Sequence, residues 1–204
     1  MTKKKDSTPY GTITNVIRWS KDRGNIRDLY PSESYFFIKN LKFCRSFLDI
    51  GCATGNFLNI IKKKTKIKKY TGMDVSSNMI RKAKQLYPKF TFKTYNGKTI
   101  EDNYNYDLVY SFGTLQYCNN YKSLITQMIN SSKRFTIFDL RFSFEKNFIN
   151  ISKNYQIIPN SNNRRLPYNI INFLEFFKFI LNVTKKKFEI SFYGYNKSPA
   201  KNIV

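Results

Sequence analysis

The stretch Phe47–Leu58, FLDIGCATGNFL, decides the fold of this chain. Arg45–Ile50 is mostly apolar and predicts a short buried strand, whereas Asn56–Lys64 predicts a helix. Gly51 and Gly55 lie between them and allow tight turns and a close approach of the backbone to a ligand. A glycine loop in this setting is typical of nucleotide sites, although an ordinary strand-to-helix turn uses the same residues.

Apolar strands and helices alternate along the chain that follows this loop. Further strands are expected at Lys69–Asp74, Phe90–Tyr95, Asp107–Phe112 and Arg134–Leu140, and further helices at Ser77–Tyr87 and Tyr121–Asn130. Such alternation predicts an α/β fold, with a doubly wound, mostly parallel Rossmann-like sheet and helices on both of its faces. With 204 residues, the chain is long enough for one sizeable core.

The two flanks of this core are expected to differ from it. Residues 1–31 are polar and predict a mobile N-terminal arm or lid, anchored by Trp19. Residues 32–204 would form the main domain, with a hairpin-like insert near residues 143–171. A helix is expected after Pro31, and the last third is expected to hold short strands at Tyr155–Ile158 and Tyr168–Ile171, a helix at Phe173–Leu181 and a final strand at Phe188–Tyr195.

Two aspartates narrow the choice of ligand. Asp49 precedes the first glycine by two residues, where a carboxylate would repel a pyrophosphate but suit a cationic ligand with an ammonium group, such as S-adenosylmethionine. A phosphate-binding P-loop is excluded because its G-K-[ST] sequence is missing. Asp74 ends the next strand, 19 residues after Gly55, which suits hydrogen bonds to ribose hydroxyls.

Three segments resemble one known family. DIGCATG (residues 49–55) and GMDVSSNMI (residues 72–80) resemble motifs I and II of the class I S-adenosylmethionine-dependent methyltransferases. DLVYSFGTLQY (residues 107–117) resembles the fourth-strand segment of the same superfamily. The resemblance covers roughly residues 32–142. It implies the class I methyltransferase fold, S-adenosyl-L-methionine as cofactor, and a set of cofactor-binding residues: Asp49, Gly51, Cys52, Ala53, Gly55, Asp74, Val75, Met79, Asn96, Ser111 and Phe112.

The resemblance also assigns roles within that set. Asp49 would orient the amino group of the cofactor, Asp74 would hold its ribose, and Asn96 would lie near the adenine. Ser111 and Phe112 would lie near the methionine moiety and the substrate. Met79 would pack against adenine or belong to the core. The chain departs from the family pattern at Ala53, where a glycine is usual, and at Gln116, where small-molecule members often carry histidine.

The residues available for catalysis are limited. The chain has no histidine, which excludes Ser-His-Asp and Cys-His catalysis and His-ligated metals, and its three cysteines are too widely spaced to predict a metal site. Asp139 and Tyr117 are the candidate bases for an oxygen nucleophile. Alternatively, Asp139 caps a turn and pairs with Arg141. The candidates for binding an anionic substrate are Arg141, Arg164 and Arg165, of which the last two also suit an exposed loop.

The charge leaves the substrate class open. Lys and Arg number 36 against 13 Asp and Glu, a net charge of +23, which suits either a solvated basic surface or a nucleic-acid partner. We expect a methyltransferase acting on a small molecule, such as a sugar or another anionic metabolite. RNA methylation and cofactor binding without turnover are the alternatives. No apolar run is long enough to span a bilayer, so a cytoplasmic location is expected, and the oligomeric state is open.

Overall fold

A five-stranded parallel sheet forms the centre of the computed structural model, which describes Asp6 and residues 8–149, 152–185 and 188–194. Its strands are β1 (Ser46–Ile50), β2 (Lys69–Asp74), β3 (Thr91–Thr94), β4 (Tyr106–Ser111) and β5 (Ser132–Phe138). They lie in the order β3-β2-β1-β4-β5, so the direction of winding reverses between β1 and β4. In open α/β sheets, ligands bind beyond the carboxyl ends of the strands at such a reversal. The glycine loop follows β1 and lies at this position.

Six α-helical segments accompany the sheet in the part of the chain that the structure describes. They are α1 (Ile13–Trp19), α2 (residues 31–41), α3 (Phe57–Lys64), α4 (Ser77–Leu86), α5 (Tyr121–Asn130) and α6 (Phe173–Thr184). α2 consists of Pro31–Glu33, a π-helical segment Ser34–Ile38, and Lys39–Leu41. Short 3-10 turns occupy Ile26–Asp28 and Leu115–Tyr117. None of the helices within these described ranges is long and apolar enough to cross a membrane.

The helices cover both faces of the sheet, which confirms the predicted doubly wound architecture. On one face, α2, α3 and α4 contribute the buried side chains Phe37, Leu58, Ile61 and Ala83. On the other face, α5 and α6 contribute Leu124, Met128, Phe176 and Ile180. Every residue of β1 is buried, as expected for a central parallel strand that has helices on both sides.

A carboxylate joins β1 to β4 at the edge of the sheet opposite the glycine loop. Asp107 Oδ2 accepts hydrogen bonds from the backbone N–H groups of Arg45 (2.8 Å) and Ser46 (3.0 Å). The N–H of Asp107 in turn donates to Ser46 Oγ (2.8 Å). These bonds set the register at which the two strands that flank the winding reversal begin.

The last third of the chain departs in part from the predicted elements. It contains β6 (Arg141–Ser143), β7 (Tyr155–Ile157), β8 (Arg165–Pro167) and β9 (Ile170–Asn172). β7 and β8 form an antiparallel pair, as a hairpin-like insert requires, whereas β6 and β9 pair in parallel. The predicted strand Tyr168–Ile171 is wrong in its bounds, because Tyr168 and Asn169 separate two strands that pair with different partners.

The predicted final strand Phe188–Tyr195 is wrong over its described part. Residues 188–194 form no strand, and Tyr195 lies outside the described residues. The aromatic side chains of this segment pack against helices instead. The ring of Phe192 lies 5.3 Å from that of Phe173 in α6, and Tyr193 stacks on Tyr35 of α2 at 5.0 Å. The alternation of apolar residues therefore reflects side-chain packing without strand pairing.

Candidate active site

The glycine loop between β1 and α3 has a backbone that few residue types adopt. Gly51 and Gly55 have φ angles of +79° and +80°, and Ala53 has a φ of +47°. A Cβ at Gly51 would also overlap the side chain of Thr114. The N–H groups of Gly51 and Cys52 both donate to the carbonyl oxygen of Met73, at 2.7 Å and 3.0 Å. The loop is therefore bound to the carboxyl end of β2.

Asp74 connects this loop to the start of α4. Its Oδ2 accepts the N–H of Ala53 (2.9 Å), and its Oδ1 accepts the N–H of Ser76 (2.8 Å). Burial raises the pKa of Asp74 to about 6, while the two N–H donors oppose this shift. The carboxylate thus holds the left-handed Ala53 in place at the position predicted to bind ribose.

Asp49 lies inside the sheet, with 2% of its surface exposed. Tyr70 of β2 and Tyr110 of β4 both donate their hydroxyl groups to its Oδ2, at 2.8 Å and 2.9 Å. Burial raises the pKa of Asp49 to about 7, although both tyrosine hydroxyls lower it. Asp49 therefore titrates near neutral pH at the point predicted to bind the ammonium group.

The N-terminal arm packs across the glycine loop and contains a helix, α1, that the sequence analysis did not predict. Asp6 Oδ2 accepts hydrogen bonds from Ser76 Oγ (2.6 Å) and from the N–H of Asn78 (2.9 Å) at the start of α4. The carbonyl oxygen of Trp19 accepts Thr54 Oγ1 (3.1 Å) and Asn56 Nδ2 (2.6 Å). Trp19 is thus an anchor, as predicted, although through its backbone.

Aromatic residues from three parts of the chain meet beside the turn that follows β4. The ring of Tyr117 lies 6.1 Å from that of Tyr10 in the arm and 5.8 Å from that of Tyr168. Its hydroxyl donates to Gln156 Oε1 of β7, and burial raises the pKa of Tyr117 to about 12. Tyr117 therefore holds its proton at neutral pH, which disfavours the role of general base.

Asp139 follows β5 and has two partners. Its Oδ1 accepts the N–H of Gly113 (2.6 Å), and its Oδ2 lies 3.3 Å from Arg141 Nη1. Arg141 Nε also donates to the hydroxyl of Tyr168 (3.1 Å). Asp139 thus makes both the turn contact and the ion pair that are the structural alternatives to a catalytic role, and it lies at the turn after β4.

The remaining predicted residues lie in three different environments. Buried side chains belong to Cys52, Met79, Ser111 and Phe112, whereas Val75 is exposed. Burial raises the pKa of the Cys52 thiol well above its usual value. Asn96 is exposed, and its Oδ1 accepts the N–H groups of Lys98 (2.7 Å) and Thr99 (2.9 Å) in the turn after β3.

Arg164 and Arg165 lie on the exposed side of the β7–β8 pair. The guanidinium of Arg165 lies over the ring of Tyr155, 4.2 Å from its centre. Gln156, Tyr168 and Asn169 contact the turn after β4.

Sequence reasoning missed the tyrosines that surround Asp49 and the arm residues Asp6 and Tyr10. The sequence contains one indication of the tyrosine contacts. A tyrosine in an otherwise apolar strand is expected to be buried, and its hydroxyl then needs a hydrogen-bond partner. That partner depends on strand register, in which Tyr110 lies beside Asp49. Asp6 leaves no local signal, because its partners at Ser76 and Asn78 lie 70 and 72 residues away along the chain.

The parallel sheet with an acid and a glycine loop at its winding reversal defines a Rossmann-like nucleotide-binding domain. A sequence model for the family described as a methyltransferase domain matches residues 48–134. This match supports the predicted resemblance to the class I S-adenosylmethionine-dependent methyltransferases over residues 48–134, which are less than half of the chain.

Individual relatives cover part of the chain. "Putative methyltransferase 235L" of Invertebrate iridescent virus 6 is 30% identical over 121 residues, or 58% of this chain and 44% of the viral protein. "Trans-aconitate 2-methyltransferase" of Enterobacter sp. (strain 638) is 27% identical over 86 residues, or 42% of this chain and 34% of that protein. The chain therefore spans less than half the length of these curated relatives.

A solved structure supports the fold over a longer stretch. The crystal structure of an S-adenosylmethionine-dependent methyltransferase from Clostridium acetobutylicum ATCC 824 matches with a TM-score of 0.61. The match covers 85% of this chain and 88% of that chain at 15% sequence identity. The likeness extends beyond residues 48–134 and shows the fold.

The raised pKa of Asp49 predicts a pH-dependent stability in the ligand-free protein. A carboxyl group whose pKa is raised on folding binds its proton more tightly in the folded state, so stability falls as pH rises from about 4 to about 7. Asp49→Asn removes this contribution. The free energy of unfolding of the variant minus that of wild type should therefore be up to about 3 kcal/mol more positive at pH 8 than at pH 5.

Urea unfolding at the two pH values measures this difference. Asp74 titrates in both proteins, so only its electrostatic coupling to Asp49 contributes to the comparison. A difference between variant and wild type that stays constant with pH would show that Asp49 does not titrate in this range.

Proposed function

We propose that this chain is an S-adenosylmethionine-dependent methyltransferase that acts on a small molecule, such as a sugar or another anionic metabolite. The observation that carries the proposal is the pair of carboxylates, Asp49 and Asp74, at the ends of two adjacent strands on either side of the glycine loop. The match of residues 48–134 to a methyltransferase domain supports the reaction class, and the two carboxylates would hold the cofactor.

The chemistry of the site fits this cofactor better than a phosphate-bearing nucleotide. Asp49 and Asp74 bring two carboxyl groups to the loop, where the negative charge of a pyrophosphate would be repelled. An ammonium group pairs with a carboxylate such as Asp49, and the vicinal hydroxyls of a ribose pair with one such as Asp74. Gly51 and Gly55 let the loop backbone approach the ligand closely.

When bound, the cofactor would supply a methyl group on a positively charged sulfur that leaves with the bonding electrons. The protein then has to align the acceptor, exclude water and receive any proton that the acceptor loses. Asp139 is the stronger candidate for the last role, because Tyr117 keeps its proton at neutral pH.

The surroundings of the turn after β4 support an enclosed acceptor site. Tyr10, Tyr117 and Tyr168 pack together there, and Arg141 provides a cation for an anionic substrate. Gln116 Oε1 and Asn169 Oδ1 are buried and accept no hydrogen bond from the described residues. Hydroxyl or amino groups of a small substrate would satisfy such acceptors.

The arm of residues 1–31 would act as a lid over this site. Its described contacts include hydrogen bonds of Asp6 and Trp19 with the start of α4 and with the glycine loop, and the packing of Tyr10 against Tyr117. Opening these contacts would admit the cofactor, and closing them would exclude water from the reacting groups.

RNA is the second candidate substrate, because Lys and Arg exceed Asp and Glu by 23. RNA binding would weaken steeply as salt concentration rises, since neutralised phosphates release counterions. Turnover of a small molecule would depend on salt only weakly. A third reading, cofactor binding without turnover, predicts no release of S-adenosylhomocysteine from the protein in cell extract.

Loss of the Asp74 carboxylate should weaken the binding of S-adenosylmethionine by about 100-fold or more, because charged hydrogen bonds to ribose and to Ala53 are lost together. Isothermal titration calorimetry of Asp74→Ala against wild type measures this loss. The matched control is Asp107→Ala, which removes a carboxylate from the opposite edge of the sheet and should leave affinity unchanged. Equal affinity of Asp74→Ala and wild type would contradict the ribose role, and tight binding of NAD by wild type would contradict the cofactor assignment.

Methyl transfer from labelled S-adenosylmethionine into fractionated extract tests the reaction and the substrate class together. We expect label in the small-molecule fraction and no effect of ribonuclease on it. Label in RNA that ribonuclease removes would establish the second candidate. Absence of label and of S-adenosylhomocysteine in every fraction would contradict enzymatic activity.

A further inference from the structure

The hydroxyl groups of the two tyrosines beside Asp49 point to the same carboxylate oxygen, an arrangement that packing of the rings alone does not require. Tyr70 and Tyr110 come from the strands on either side of β1, and their side chains are almost fully buried. Both hydroxyls end on Oδ2 of Asp49, at 2.8 Å and 2.9 Å. Among the described residues, no side chain donates a hydrogen bond to Oδ1.

Resting on the proposed function, we propose that Tyr70 and Tyr110 are positioning residues for cofactor binding. By donating two hydroxyls to one oxygen, they keep Asp49 ionised inside the sheet and leave its other oxygen for the ammonium group of the cofactor. They thereby set the pH at which the site begins to bind.

The physical basis is the cost of a charge inside the sheet. Burial favours the neutral carboxyl group, whereas each donated hydroxyl stabilises the carboxylate. Asp74 at the end of β2 also opposes a charge on Asp49, while Arg23 of the arm favours it. Burial and the Asp49 carboxylate raise the pKa of the Cys52 thiol, which stays neutral. Removal of either hydroxyl therefore raises the pKa of Asp49.

The rings themselves are held by aromatic packing and not by the hydroxyls. Tyr70 packs against Phe90 and Phe92, with ring centres 5.9 Å and 5.6 Å away. Tyr110 packs against Phe37 and Phe57 at 4.8 Å and 5.7 Å. A phenylalanine fills the same space, so Tyr→Phe substitutions remove the hydroxyl and keep the core.

The chain offers a matched control in Tyr106, which lies on the same strand as Tyr110. Tyr106 is also fully buried, but its hydroxyl donates to Thr71 Oγ1 at 2.7 Å instead of to Asp49. Tyr106→Phe therefore removes a buried tyrosine hydroxyl from β4 without changing the hydrogen bonds of the carboxylate.

The test is calorimetric titration of S-adenosylhomocysteine between pH 6 and pH 9 into wild type, Tyr70→Phe, Tyr110→Phe and Tyr106→Phe. Affinity should rise with pH as Asp49 ionises, and each of the first two substitutions should move the midpoint of this rise upward by about one pH unit. At pH 7 their affinity should fall by about 5-fold, at pH 6 by about 10-fold, and it should recover towards the wild-type value near pH 9. Tyr106→Phe should keep the wild-type midpoint. The ligand titrates identically in every sample, so differences between variants report the protein.

Two further measurements separate charge from packing. In an Asp49→Asn background, Tyr110→Phe should have no additional effect on affinity, because no carboxylate remains to be stabilised. The NMR shift of the Asp49 carboxyl carbon in ligand-free protein should report the same displaced midpoint without any ligand.

Each outcome bears on the proposal. Unchanged midpoints in Tyr70→Phe and Tyr110→Phe, with tight wild-type binding, would overturn this inference and leave the proposed function intact. An equal loss of affinity at every pH would show that the hydroxyls act only on structure, which also overturns it. Failure of wild type to bind either S-adenosylhomocysteine or S-adenosylmethionine would overturn the proposed function itself.

Discussion

A carboxylate buried between three strands is the constraint on which the site depends. Asp49 occupies the central strand one position before the strand ends, where water cannot solvate its charge. Such a group is tolerated only when hydrogen-bond donors surround it. β2 and β4, the neighbours of β1, each supply one such donor through Tyr70 and Tyr110. The strand order that reverses the winding at β1 thus also places two hydrogen-bond donors beside the carboxylate, and these donors stabilise its charge.

Two further carboxylates, Asp74 and Asp6, connect the other parts of the site through hydrogen bonds. Asp74 holds the backbone of the glycine loop and the start of α4, so one carboxylate sets the loop conformation at the position proposed to bind ribose. Asp6 of the arm binds the next residues of α4. Asp74 and the arm therefore contact the same segment of the chain, Ser76–Asn78.

The sequence allowed the sheet and the position of its glycine loop to be predicted, because both follow from local patterns of residues. Asp49, Gly51, Gly55 and Asp74 lie within two strand–loop–helix units, and strand order follows from the winding of such units. The tyrosine pair could not be placed, because it depends on the register of three strands. The seven-residue helix α1 was missed, since its anchors are contacts with the glycine loop and α4.

The strand predicted at Phe188–Tyr195 is absent over residues 188–194 because a local pattern was present without a pairing partner. Alternating apolar residues indicate a strand only where another strand is free to pair, and here the aromatic rings pack against α2 and α6. Tertiary packing therefore determines the conformation of this segment. It also determines the contacts of Gln156 and Tyr168 with the turn after β4.

The most direct test of the account is the crystal structure of the protein bound to S-adenosylhomocysteine. The account predicts that the amino group of the ligand binds Asp49 through Oδ1, and that its ribose hydroxyls bind Asp74. The adenosyl ligand should lie across the glycine loop at the carboxyl ends of β1 and β2. A ligand bound elsewhere, or one whose amino group and ribose contact neither aspartate, would contradict it.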